Sequence, residues 1–241
     1  MSDAARYAIY LAPPADAPLW HFGSAVLGYD AASGRDIEGF TLPGFDAATW
    51  RRITMRPRTY GFHATLKAPF RLAPGRDAEQ LQHALHDFAG GQDAFDLGPL
   101  GITSLADAAG YGFAALTQKK RSRALEQLEV AVVSHFDAFR APMTDEERAK
   151  RNPDRLSERQ KRSLDQFGYP HTGPDFRFHM TLSGDVADVA DIADQLASTM
   201  AKTTGPQRFL VDALVLYGQP APGAGFTIVA RAPLRGAAPS R

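Results

Sequence analysis

One pattern occurs twice in this chain, as Gly61-Phe62-His63-Ala64-Thr65-Leu66 and Arg177-Phe178-His179-Met180-Thr181-Leu182. Each copy sets a histidine and a threonine two residues apart among apolar neighbours. Extended backbone alternates its side chains with period two, so His63 and Thr65 share one face while Phe62, Ala64 and Leu66 share the other. The same holds for His179 and Thr181 against Phe178, Met180 and Leu182. The fold must therefore hold two strands that each pack with one face and present an imidazole and a hydroxyl with the other. Of the seven histidines, only His63 and His179 have a hydroxyl residue at the second position after them. Chance gives a full match roughly 0.1 times in a chain of this size, so two copies point to chemistry rather than to packing alone. Two histidines can divide general-base and general-acid work, and two hydroxyls can hold an anion between them.

The elements around the two segments repeat. Phe62–Ala68 reads as a strand, Asp77–Phe88 as a helix with Leu81, Leu85 and Phe88 on one face, and Phe95–Leu105 and Tyr111–Thr117 as strands. A long helix is expected over Arg121–Phe139. The series then recurs as a strand at Phe178–Ser183, a helix at Val186–Lys202, and strands at Phe209–Tyr217 and Phe226–Arg231. Counterparts lie roughly 110 to 116 residues apart, with boundaries read to within a few residues. A strand–helix–strand–strand unit used twice predicts two similar lobes related by a pseudo-twofold, at about 55–120 and 175–235. Arg6–Ala12 adds a strand, stopped by Pro13-Pro14. Ala15–Arg58 is rich in Gly, Pro and Asp, with a helix expected near Asp46–Ile53. Residues 141–173 have no counterpart and read as a helical insertion. Its basic run, which includes Arg148, Lys150 and Arg151, is either a solvated helical face or a rim that helps hold a second phosphate. Arg235–Arg241 reads as a frayed tail.

The paired motifs resemble the H-x-[ST]-x signature of the 2H phosphoesterase superfamily. The longer strings Tyr60–Phe70 and Phe176–Leu182 resemble its phosphonate-metabolism branch, a domain of unknown function found beside carbon–phosphorus lyase genes. Arg6–Pro13 and Leu27–Asp30 fit the same branch, so the resemblance spans nearly the whole chain. It implies one α+β domain over residues 1–241. Its antiparallel sheets would carry helices on their outer faces, and the histidine strands would face each other across a central cleft. It also implies a small cyclic phosphate as substrate, specifically a 5-phosphoribosyl 1,2-cyclic phosphate.

Such chemistry needs a base to activate water, an acid to protonate the leaving oxygen, and donors for the phosphoryl oxygens. His63 and His179 fit the first two roles, in an order the sequence leaves open, and Thr65 and Thr181 fit the third. Lys67 and Arg177 extend the same faces and are candidates to neutralise phosphate charge. Tyr7, Tyr10 and Tyr60 are candidates for the cleft wall, and Ser183 continues the second motif. No metal or other cofactor is needed in this scheme. His83 and His86 lie one helical turn apart but lack the further ligands of a metal site.

Lys+Arg and Asp+Glu both number 27, which leaves no electrostatic footprint for long nucleic acid. Without cysteine there is no disulfide framework. No apolar run is long enough to span a bilayer, and no signal-peptide pattern opens the chain, so a cytoplasmic protein without a membrane partner is expected. The other readings are hydrolysis or ligation of 2',3'-cyclic nucleotides or RNA ends, and a non-catalytic module that binds a phosphate ligand. The oligomeric state is left open.

Overall fold

The two histidine segments are neighbours in one eight-stranded sheet. In the computed structural model, which describes residues 6–237, the chain runs β1 (Arg6–Leu11), α1 (Pro18–Leu27), β2 (Tyr29–Asp30), β3 (Arg35–Asp36), α2 (Ala47–Arg58), β4 (Ala64–Phe70), α3 (Ala78–Gly90), β5 (Phe95–Ala106), β6 (Gly112–Gln118), α4 (Arg123–His135), α5 (Asp145–Ala149), α6 (Glu158–Phe167), β7 (His179–Thr181), α7 (Val189–Thr203), β8 (Arg208–Val211), β9 (Ala213–Gln219) and β10 (Thr227–Pro233). The class is α+β, and the strand pairs of the large sheet are antiparallel.

The sheet order is β10-β9-β1-β4-β7-β6-β5-β8. Its centre is the seam between β4 and β7, with three further strands on either side. The two sequence units do not form separate sheets, which corrects the expected lobes at 55–120 and 175–235. The β5–β6 hairpin of the first unit pairs with the second histidine strand. From the second unit, β9 pairs with β1, which pairs with the first histidine strand. Each half of the sheet is thus built from both units.

The expected strand Phe209–Tyr217 breaks at Asp212 into β8 and β9. These lie six places apart in the sheet order, which in a flat sheet would separate them by close to 30 Å. One intervening residue spans far less, so the sheet is curled until its ends approach. Asp212 is fixed at this crossing. Its carboxylate accepts from Arg231 Nη2 at 2.7 Å and its carbonyl from the Leu234 amide at 2.8 Å. Asp93 and Arg235 bridge the same region, so Arg235 is tied down where a frayed tail was expected; residues 238–241 lie outside the described residues.

Helices cover one face of the sheet. α3 packs on β9 and β10, α7 on β5 and β6, and α4 on β4. Side-chain caps start two of them: Asp77 with Gln80 forms a capping box at α3, and Ser122 caps α4. α1 lies in the Gly- and Pro-rich stretch where only the helix near Asp46–Ile53 was named, although Pro18 at its first turn and Gly28 in a left-handed C-cap are ordinary boundary signals. β1 divides the core cleanly. Tyr7, Ile9 and Leu11 enter the main cluster under the helices. Ala8, Tyr10 and Ala12 enter a smaller one with Trp20, Tyr29, Tyr217 and Phe226.

Candidate active site

β4 and β7 pair with Ala64 opposite Met180. One step out from that pair, the antiparallel register sets His63 opposite Thr181 and Thr65 opposite His179. Opposed Cβ atoms in such a pair lie about 4.5–5.5 Å apart and diagonal ones roughly 7–8 Å, so the two histidines stand on a diagonal with space for a small group between them. All four residues line one open cleft of about 440 Å³, together with Tyr10 and Tyr60.

The backbone fixes both imidazoles. The Gly61 carbonyl accepts from Nδ1 of His63 at 2.9 Å, and the Arg177 carbonyl accepts from Nδ1 of His179 at 2.8 Å. These partners assign the proton to Nδ1 in the neutral rings and leave Nε2 for chemistry. At His63 that nitrogen accepts from the Thr65 hydroxyl at 3.2 Å. The Gly61 carbonyl is aimed by a turn at φ 72°, and a Cβ there would stand 2.7 Å from Cβ of Ala31. Position 61 is therefore restricted to glycine.

His63 lies against Tyr10, ring centroids 3.7 Å apart. Burial, reinforced by the neighbouring His179, lowers its pKa to about 4, although the Gly61 hydrogen bond opposes the shift. Burial also lowers His179, against the hydrogen bond to Arg177. Both shifts favour the neutral imidazole. Burial raises the Tyr10 phenol well above its ordinary value, so that group stays protonated.

Three expected site residues are elsewhere. Lys67 is buried on the opposite face, where Nζ donates to the Val133 carbonyl at 3.1 Å and to Asp137 Oδ1 at 3.0 Å. The cause is a bulge: Tyr10 pairs with Thr65 but Ile9 with Lys67, so β4 carries one extra residue there and the alternation reverses. Tyr7 points into the main core, on the other side of β1 from Tyr10. Arg177 is exposed, and its Nη1 turns back onto the carbonyls of Pro174 and Phe176; its own carbonyl, rather than its guanidinium, serves the site. Tyr60 does line the cleft, stacked on Phe226 at 5.3 Å. Ser183 also reaches it, with its hydroxyl occupied by the Ala114 amide at 2.9 Å and the Gly184 carbonyl at 3.0 Å.

The cleft recruits Arg6, Arg56, Arg151, Tyr169 and His171 as well. The last three come from the 141–173 insertion, which therefore forms a rim. Only the basic run around Arg151 hinted at this. His83 and His86 are exposed on α3. No group of three or more metal-ligating side chains gathers among the described residues, and no helix there is long and apolar enough to cross a membrane.

The family described as "Protein of unknown function (DUF1045)" matches residues 65–227. Two curated relatives both carry the name "Ribose 1,5-bisphosphate phosphokinase PhnN". That from Janthinobacterium sp. (strain Marseille) is 34% identical over 236 residues, which is 96% of this chain and 51% of the relative. That from Laribacter hongkongensis (strain HLHK9) is 35% identical over 226 residues, 92% of this chain and 50% of the relative. The chain thus spans about half the length of the curated relatives it matches. Among solved structures, TT0787 of Thermus thermophilus is similar with a TM-score of 0.45 and 13% identity, over 96% of this chain and 98% of that one.

Proposed function

The chain belongs to the DUF1045 family, and from the geometry of its cleft we propose that it is a 2H-type cyclic phosphodiesterase that opens a small cyclic phosphate to a phosphomonoester. The observation that carries this reading is the Ala64–Met180 register, which brings two His–Thr pairs onto one face as near-symmetric halves of one cleft. A phosphoryl group on the diagonal meets a ring nitrogen on either side, the arrangement that in-line displacement requires.

His63 takes the base role, because its environment holds it neutral with Nε2 unprotonated. It removes a proton from water as the water oxygen bonds to phosphorus. The bond from phosphorus to one ring ester oxygen breaks, and His179 delivers a proton to that oxygen. His179 gains its proton when the anionic substrate enters, since a nearby negative charge favours the imidazolium. The hydroxyls of Thr65 and Thr181 donate to the non-bridging oxygens, with Thr65 exchanging its His63 partner for the phosphate. One water is consumed and no metal takes part.

The substrate is a 5-phosphoribosyl 1,2-cyclic phosphate. Cleaving its bond to the 2-oxygen yields ribose 1,5-bisphosphate, the compound in the name of both curated relatives. A protein that joins a stretch like this one to a kinase for that product would run consecutive reactions. The test is turnover of the 1,2-cyclic phosphate, scored by release of phosphomonoester after exhaustive EDTA treatment. Turnover that survives chelation is expected. Loss that a divalent ion restores would overturn the mechanism, and no turnover under any condition would overturn the function.

A further inference from the structure

A second cavity, of about 230 Å³, adjoins the cleft, and Arg6, Tyr60, Pro69 and Arg151 line both. Its charge is lopsided. Arg6, Arg71, Arg140, Lys150 and Arg151 face it, against Glu147 as its one carboxylate among the described residues. The whole chain is formally neutral, so this excess is a matter of placement.

We propose that this cavity is a subsite for a second, terminal phosphoryl group, so that the preferred substrates are small cyclic phosphodiesters that also carry a phosphomonoester. The inference rests on the phosphodiesterase reading of the adjoining cleft and assigns it a specificity device.

Glu147 does not cancel the field. Arg71 grips it with Nε on Oε1 at 2.9 Å and Nη2 on Oε2 at 3.0 Å, and the Thr144 amide adds a bond to Oε2 at 2.9 Å. That carboxylate is spent on joining β4 to the insertion. Arg140 shares Asp137 with Lys67, two cations on one acid. Arg6, Lys150 and Arg151 have no carboxylate partner among the described residues. Arg6 is nevertheless placed: its Nε donates to Gln219 at 2.8 Å and its guanidinium lies 5.5 Å from the Phe226 ring centre. Arg151 similarly lies over the Tyr169 ring. Guanidinium groups held this way offer their outer N–H edges to a phosphate in a fixed direction. Because Arg6, Tyr60, Pro69 and Arg151 belong to both cavities, the two subsites adjoin, which suits a compact substrate better than a long chain.

The test compares two substrates that differ only in the terminal group, 5-phosphoribosyl 1,2-cyclic phosphate and ribosyl 1,2-cyclic phosphate. Their kcat/KM values are measured for the wild type and for Lys150→Glu and Arg151→Gln. Lys150 is exposed, so its replacement should not disturb folding. The wild type should prefer the phosphorylated substrate by at least about tenfold, and each variant should cut that ratio about tenfold or more, the usual scale for a charge-assisted contact. A wild-type ratio near one, or variants that slow both substrates in step, would overturn the subsite. If neither substrate turns over, the phosphodiesterase reading fails and calorimetry decides the subsite. Ribose 5-phosphate binding that ribose does not share, and that Lys150→Glu abolishes, supports it; equal or absent binding rejects it.

Discussion

The phenol ring of Tyr10 lies nearly flat on the imidazole of His63, with 19° between the planes, and its hydroxyl is buried without a hydrogen-bond partner among the described residues. The ring, then, rather than the hydroxyl, shields His63. Tyr10→Phe should keep activity within about threefold and leave stability unchanged or raised, because an unsatisfied buried hydroxyl is removed. Tyr10→Ala should cost about 3–5 kcal/mol in stability and admit water to the imidazole. Thermal denaturation beside a pH–rate profile checks both variants. Equal loss of activity in the two would mean that the hydroxyl is functional.

His63→Ala and His179→Ala should each lower kcat by about 100-fold or more. The double variant should lose less than the product of the two, since the pair acts as a unit. Thr65→Ala and Thr181→Ala should cost less than either. Steady-state kinetics on purified folded variants decide this, and near-normal turnover in either histidine variant would exclude divided acid–base catalysis.

The pH response has a definite sign. His63 titrates near 4 in the folded cleft and near 6.5 when free. Between those values the unfolded chain holds a proton that the folded chain does not. Stability from this group is therefore complete above about pH 6.5 and declines as pH falls toward 4. His63→Gln should flatten that part of the stability curve in denaturant titrations. The acidic limb of kcat/KM for the wild type should also lie below the ordinary histidine value, with apparent constants that belong to the coupled pair. An acidic limb at or above 6.5 would contradict the base role given to His63.

Lys67→Ala should behave as a stability variant. It removes one of the two cations on Asp137, which keeps Arg140, and should cost about 1.5–3 kcal/mol, the scale of a hydrogen bond to a charged group. Activity per folded molecule should stay close to wild type. A large fall in kcat with little change in melting temperature would return Lys67 to the active site.

Much of the cleft was legible because a strand motif carries its own geometry. Once His63–Thr65 and His179–Thr181 are read as extended, period two decides which side chains travel together. The reading failed where a single residue changed that period. The bulge between Thr65 and Lys67 turns the lysine away, and its cause is the pairing with β1, which lies far off in sequence. Arg6, Arg56, Tyr169 and His171 were missed for a related reason: they meet only through tertiary structure, and none sits in a motif of its own, whereas the basic run had offered Arg151 as a rim residue. The helix at Pro18–Leu27 was not picked out of the Gly-, Pro- and Asp-rich stretch, although Pro18 and Gly28 mark its two ends.

The exchange of strands between the two sequence units has a consequence for how the protein comes into being. A nascent chain stopped before residue 213 lacks β9, the strand that flanks β1 on the side away from the first histidine strand. Such a chain already contains both histidines, yet it lacks Tyr217 and Phe226, which pack behind Tyr10 and Tyr60. A ribosome-bound or truncated form would thus carry both His–Thr motifs and still have no finished cleft. The two sequence units each bring one His–Thr pair, but because their strands interleave, neither unit alone holds the sheet that frames its own pair.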